Sequence, residues 1–304
     1  MLREAVLTLG NFYSWHRRRL LLWFTLVSGI SVLLILHGAV PQWHLLPGFL
    51  DPLPAHTLLA IFFAALSCEY MDSSLGMGYG TTLTPLLLIA GFEPLQIVPA
   101  VLFSELLTGL SAGALHHRDG NVDLVGDRRV RRTVVLLTLL STAGALLAAV
   151  VALSIPRFWF SLAIVVIVLG MGVLTLFTAR RRIPYRAGSL ISVGLIAAFN
   201  KGLSGGGYGP LVTAGQVISG IPAKHAVAIT SLAEAFTCLV GLGAYILLRQ
   251  QIDWALALPL ATGALLSVPM ATVTVKRLPE SLIRAAVGVL TLVLGLISLL
   301  KLLS

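Results

Sequence analysis

The chain has 304 residues, of which 57% are hydrophobic and only 11% charged, and its mean hydropathy is +0.96. A soluble domain of this length would need far more charge on its surface, so composition excludes a water-exposed globular fold. The formal charge of +9 does not indicate a nucleic-acid partner, because the arginines gather in short loops between apolar runs. That is the topology signal of a membrane protein rather than a phosphate-binding face.

In chain order, His16, Arg17, Arg18 and Arg19 precede an apolar run over residues 20–40. This run is longer than a signal-peptide core and reads as a retained signal anchor with a cytoplasmic N-terminus. An outer loop with Trp43 and Asp51 follows. Residues 56–71 and 81–90 are apolar pieces flanking a Gly-rich break, and the second is too short to cross a bilayer. A re-entrant pair entering and leaving by one face fits these lengths. Residues 96–115 then run inward to Arg118, Arg128, Arg129, Arg131 and Arg132. Residues 133–153 return outward, and 158–177 run inward to Arg180, Arg181, Arg182 and Arg186. A second re-entrant pair is expected over 188–200 and 210–219, followed by spans at 225–247, 252–272 and 281–300. The third of these inward runs ends at Lys276 and Arg277. Basic loops thus fall on the cytoplasmic side throughout, and Trp43, Trp159 and Trp254 fall at outer span ends, where indoles favour the headgroup layer.

The expected fold is therefore all-α and polytopic, with seven full spans and two re-entrant pairs. The Gly-rich break occurs twice, 129 residues apart (Gly205 against Gly76): residues 72–80 read DSSLGMGYG and 201–209 read KGLSGGGYG. Ten of the 38 positions from 72 to 109 match their counterparts without a gap, among them Gly76/Gly205, Gly78/Gly207, Tyr79/Tyr208, Gly80/Gly209, Thr84/Thr213, Glu105/Glu234 and Thr108/Thr237. Duplication accounts for this. Residues 1–53 then form an N-terminal segment with one extra span, 54–180 the first repeat and 181–304 the second, in one integrated transmembrane domain. Three full spans per repeat place the second copy upside down relative to the first, the architecture of alternating-access carriers.

Unwound backbone cannot face lipid, so the breaks must be covered by protein or line a polar cavity. Helix starts after each break present N–H groups and positive dipole ends, and two such ends from opposite faces suit a small anion. This makes Gly76, Gly78, Tyr79, Gly80, Gly205, Gly206, Gly207, Tyr208 and Gly209 the candidate substrate-binding segments. Close helix packing is the competing explanation of the glycines. Asn200 and Lys201 join the candidates, since a lysine this deep is costly unless paired, hydrated or used. Lys201 either supports an anion or pairs structurally; its counterpart is Asp72, and an Asp72–Lys201 ion pair is expected. Glu105 and Glu234 lie one turn before Thr108 and Thr237 and, with Asp72, are the candidate coupling groups; tying a helix to unwound backbone by hydrogen bonds is the competing, structural role for the two glutamates. Thr230 and Ser231 offer hydroxyls to an oxyanion. Tyr79 and Tyr208 either pack against the ligand or seal the bends. His116 and His117, beside a basic loop, are read as interfacial, and Cys68 and Cys238 as buried thiols. No metal site, cofactor motif, phosphate loop or catalytic triad is present, so an enzyme is not expected.

At these residues the chain resembles the sulfite exporter TauE/SafE family, also called the 4-toluene sulfonate uptake permease family. The resemblance rests on Gly205 to Pro210, on Gly220, Ile221, Pro222 and Ala223, and on Ala228, Ile229, Thr230 and Ser231. In the first half it rests on Gly76 to Gly80 and on Pro99 and Ala100. Met77 and Thr81 depart from the family's richer glycine cluster. The resemblance implies secondary transport of small sulfur-containing anions, such as sulfite or sulfonates, in a prokaryotic inner membrane, driven by protons or an ion gradient. An anion channel using the same helix ends is the alternative. Lipid and the anion are the expected partners; nothing in the sequence specifies an oligomeric state.

Overall fold

Apolar runs in lipid must satisfy their backbone groups internally, and the described residues do this with helices alone. The computed structural model describes residues 24–37, 39, 53–178, 189–218, 221–248, 251–274 and 280–304. The helices are α1 (Phe24–His37), α2 (Ala55–Leu75), α3 (Tyr79–Ala90), α4 (Pro94–Arg118), α5 (Arg128–Ser154) and α6 (Arg157–Thr178). They continue with α7 (Ser189–Ser204), α8 (Tyr208–Ile218), α9 (Ala223–Leu247), α10 (Trp254–Thr274) and α11 (Glu280–Leu303). The basic residues at 17–19, 180–182, 186, 276 and 277, together with Trp43 and Asp51, lie outside the described residues.

Among the described residues, seven helices are long and apolar enough to cross a membrane: α2, α4, α5, α6, α9, α10 and α11. The number equals the expected one, but the membership differs. The arm expected to be re-entrant, α2, has 21 residues, roughly 31 Å at 1.5 Å per residue, which matches a bilayer core. The second arms stay short, with 12 residues in α3 and 11 in α8. Helix ends are set by local chemistry. Asp127 caps α5 by accepting from the amides of Arg129 (2.7 Å) and Val130 (3.2 Å), and Glu93 with Gln96 forms a capping box on α4.

Packing explains which helices are central. α4, α9 and α10 are mostly buried, whereas α5 and α11 turn most residues outward. Their outward faces carry Leu139, Leu147, Leu296 and Leu300, all more than half exposed. Such a belt would be unfavourable in water and fits lipid. α2 packs chiefly on α10, and α7 chiefly on α5; α4 lies against α9, and α6 against α11. Two cores follow the same plan. One joins α2, α3 and α4 with α10 through Ala65, Tyr79, Leu83, Val101 and Leu260. The other joins α7, α8 and α9 with α5 through Ala198, Tyr208, Val212, Ile229 and Leu137. Each half thus lends its fourth helix to the core of the other.

Candidate functional site

The glycine pattern at the breaks produces a specific backbone. Gly76 and Gly205 end α2 and α7 at φ of 70° and 72°, left-handed values that favour glycine. Their amides bond back to the carbonyl oxygens of Asp72 (2.6 Å) and Lys201 (2.8 Å), four residues earlier in each case. The two breaks then cross in direct contact. A side chain on Gly80 would strike the Gly205 carbonyl oxygen, and one on Gly209 would strike the Gly76 carbonyl oxygen. The Thr84 hydroxyl donates to the Ser204 carbonyl oxygen (3.0 Å), and the Thr213 hydroxyl to that of Gly76 (2.9 Å). Unwound carbonyls of each break are therefore satisfied by the helix that follows the other break, as burial in a membrane demands.

A buried charge cluster lies beside this crossing. Lys201, near the end of α7, is fully buried, and its ammonium is held between Glu105 of α4 and Glu234 of α9. The Glu234 oxygen is 2.7 Å from Nζ. The expected Asp72–Lys201 ion pair is therefore corrected: the paired acids come from α4 and α9. Asp72 instead faces the start of α3, where its Oδ1 accepts from the Tyr79 amide over a long 3.4 Å. The structure adds a fourth acid, Glu69. It is buried on α2, one turn before Asp72, and accepts from the hydroxyls of Ser73 (2.6 Å) and Thr108 (3.1 Å). Glu69, Asp72, Glu105, Thr108, Ser231 and Glu234 line a cavity of about 10 Å³, room for about one water. Two oxygens on that lining, Glu105 Oε1 and Ser231 Oγ, have no hydrogen-bond partner.

The other candidates divide between the crossing and the cluster. Thr230 belongs to the crossing: its hydroxyl lies 2.9 Å from that of Thr213 and accepts from Gln216 Nε2 (2.8 Å). Ser231, the next residue, points to the acids. Tyr79 and Tyr208 are fully buried, with hydroxyls on Ser104 (2.7 Å) and Ser141 (3.3 Å). Gly78 and Gly207 precede the starts of α3 and α8 with φ of 130° and 83°. Gly206 packs on the first break, where an added methyl would lie 2.6 Å from the Gly80 carbonyl carbon. Asn200 is half-buried, and its carbonyl oxygen accepts from Ser204 Oγ (2.8 Å).

Two readings outside the site need comment. His116 is not interfacial but fully buried; its Nε2 donates to the Ser73 carbonyl oxygen (3.0 Å) while Nδ1 accepts from Asn121 Nδ2 (3.0 Å). Asn121 also donates to the Thr272 carbonyl oxygen (2.9 Å), so this ring ties the end of α2 to α10. Cys68 and Cys238 are free and buried, as the sequence indicates. Glu69 escapes the sequence comparison because its counterpart is Ala198, three residues ahead of the matched stretch. The rule that flags Glu105, a carboxylate inside an apolar helix, applies to it equally.

Acids and a lysine buried among helices long and apolar enough to span a membrane mark a functional site, and the fold is that of a multi-pass membrane protein. The model of the family "Sulfite exporter TauE/SafE" matches residues 60–297, and the chain belongs to this family of transporters, which are not enzymes. The chain is 29% identical over 247 residues to the "Probable membrane transporter protein YtnM" of Bacillus subtilis (strain 168), covering 76% of this chain and 79% of the relative. No solved structure matches it.

Proposed function

We propose that the protein is a secondary transporter that carries a small sulfur-containing anion, sulfite or a sulfonate, across a prokaryotic inner membrane by alternating access, coupled to protons. The observation that carries this reading is the reciprocal crossing of the two breaks, Gly80 on Gly205 and Gly209 on Gly76. Reciprocal contacts between counterparts are what a two-fold relation between two copies of one unit produces. In this reading residues 54–180 and 181–304 are inverted repeats. Each break joins a longer helix to a short one that only partly penetrates the membrane, the basic loops and the N-terminus are cytoplasmic, and the helix starts at Tyr79 and Tyr208 meet the anion.

The cluster supports coupling. A cavity walled by Glu69, Asp72, Glu105 and Glu234 repels an anion unless protons or cations offset the acids. Lys201 is already engaged by two of them, so it frames the site as their counter-charge. An anion that approaches the crossing therefore does so with acids protonated, which links the two fluxes.

The test is an uptake and efflux panel in reconstituted vesicles with sulfite, sulfate, sulfonates and thiosulfate. Saturable flux of a sulfur anion, accelerated by the same anion on the opposite side, is the expected result. Unitary currents without such acceleration would replace the carrier by a channel.

A further inference from the structure

We propose that Glu69 is the proton-carrying group of this transporter, and that Lys201, Glu105 and Glu234 form a fixed charge triad beside it. The proposal rests on the transport reading above and names the residue through which protons enter it. The first observation is charge. Four carboxylates (Glu69, Asp72, Glu105, Glu234) share one small buried cavity, and one ammonium, Lys201, lies against two of them. With every acid ionised the cluster would hold a surplus of three negative charges away from water, which no buried site sustains.

The second observation is which acid has partners that tolerate a proton. Glu105 and Glu234 bond to an ammonium, a pure donor, so protonating them there discards charge-assisted bonds. Asp72 meets only the Tyr79 amide, at a long 3.4 Å, and no hydroxyl among the described residues bonds to it that could accept from its protonated form. Glu69 meets only the hydroxyls of Ser73 and Thr108, which accept as readily as they donate. It can therefore gain an O–H bond, or lose it, and stay fully hydrogen-bonded. The third observation is the route. Glu105 Oε1 and Ser231 Oγ are buried and unpartnered on the wall they share with Glu69, and the space between has room for about one water to relay a proton.

The groups around Glu69 favour this assignment. Its own helix offers Cys68 and Asp72; α3 offers Tyr79, α4 Glu105 and His116, α9 Glu234, and α7 Lys201. His116 is turned to the Ser73 carbonyl oxygen with both ring nitrogens bonded. α10, packed along α2, carries no ionisable residue. In the step itself Glu69 takes a proton from hydronium on one side, leaving water, the surplus negative charge falls by one, and the anion binds. On the other side the anion leaves and the carboxylic O–H bond breaks to water. Proton and anion accordingly travel in the same direction.

The experiment uses the full chain in proteoliposomes with a trapped pH dye, recording anion flux and internal pH together. For Glu69→Gln the expected result is anion counterflow that persists while anion-driven proton movement is lost. The dependence of flux on a pH gradient should disappear with it. Proton movement equal to wild type in that variant would overturn the proposal. A second measurement needs no variant. Dicyclohexylcarbodiimide, which attacks protonated carboxyls in apolar surroundings, should modify Glu69 in the wild-type protein at low pH and cease to do so as pH rises. Mapping by mass spectrometry of adducts on Glu105 or Glu234 but not Glu69 would overturn the proposal even if the variant does not fold. If wild type shows no counterflow of any sulfur anion, the substrate reading fails, and the labelling result still decides the role of Glu69.

Discussion

The two breaks have nearly the same backbone and opposite chemistry. Before the first, α2 carries Glu69 and Asp72; before the second, α7 carries Ala198 and Lys201 at the corresponding places. After the first, Val101 and Leu87 flank the crossing; after the second, Thr230 and Gln216 take their positions and bond to each other (2.8 Å). Duplicated geometry brings two unwound segments together, since glycine is needed at both contact points for the same steric reason. Divergence then gives the first half three of the four acids and the second half the lysine with the fourth, Glu234, so that Lys201 pairs once within its own half and once, with Glu105, across the interface. The excess of acid lies wholly in the first half, with Glu69, Asp72 and Glu105.

The largest expected effect comes from the base. Replacing Lys201 by Met leaves Glu105 and Glu234 buried without their counter-charge, a loss of about 3–5 kcal/mol for breaking a buried pair. Thermal unfolding in detergent should show a strong fall in midpoint for Lys201→Met. Adding Glu105→Gln and Glu234→Gln to it should recover most of the loss. A single variant as stable as wild type would show that the triad is not a structural unit.

Next come the glycines, which test whether the halves are geometrically equal. Gly80→Ala and Gly209→Ala each push a methyl into a backbone carbonyl that cannot rotate away. Overpacking of this kind costs about 1–3 kcal/mol, and transport should fall at least as steeply because the crossing is displaced. The two variants should be equally impaired. Gly243→Ala, at a helical position with open space beside it, is the control and should match wild type. Tolerance of either break substitution in a flux assay would mean that the segments separate more than their contact implies.

Much of this was legible in the chain for a plain reason. Hydropathy marks helices that must bury backbone in lipid, and glycines at 76, 80, 205 and 209 mark sites where backbone meets backbone. Both are local signals. The partner of Lys201 is not local: Glu105 lies 96 residues away along the chain, and only folding decides which acid arrives. Repeat symmetry pairs Lys201 with Asp72 as counterparts, which suggests contact; a two-fold relation, however, sets counterparts on opposite sides of the axis unless they lie on it. His116 shows the same limit. Its neighbours in sequence are polar, yet Asn121, Ser73 and Thr272 close over it.

The threonines separate the halves more finely. Thr84 and Thr213 are counterparts, and each donates to a carbonyl oxygen of the opposite break. Removing such a donor leaves a buried acceptor unsatisfied at a cost of about 1–3 kcal/mol. Thr213→Val should cost more than Thr84→Val, because the hydroxyl of Thr213 also lies within bonding distance of Thr230. Equal unfolding midpoints for the two would indicate that the polar surroundings of the second break add nothing.

The smallest expected change is at Asp72, and it sharpens the contrast with its counterpart. Asp72→Asn keeps an oxygen that accepts from the Tyr79 amide and removes one of the surplus negative charges. The bond is long, at 3.4 Å, so little hydrogen bonding is at stake in either form. Stability should therefore change by no more than about 1 kcal/mol, with either sign of shift small beside that of Lys201→Met. If Asp72→Asn instead destabilised as strongly as the lysine variant, Asp72 would be an ionised partner of the triad. The division between a fixed triad and a separate acid pair on α2 would then collapse, because removing one carboxylate from a cluster with excess negative charge cannot cost that much unless its charge is used.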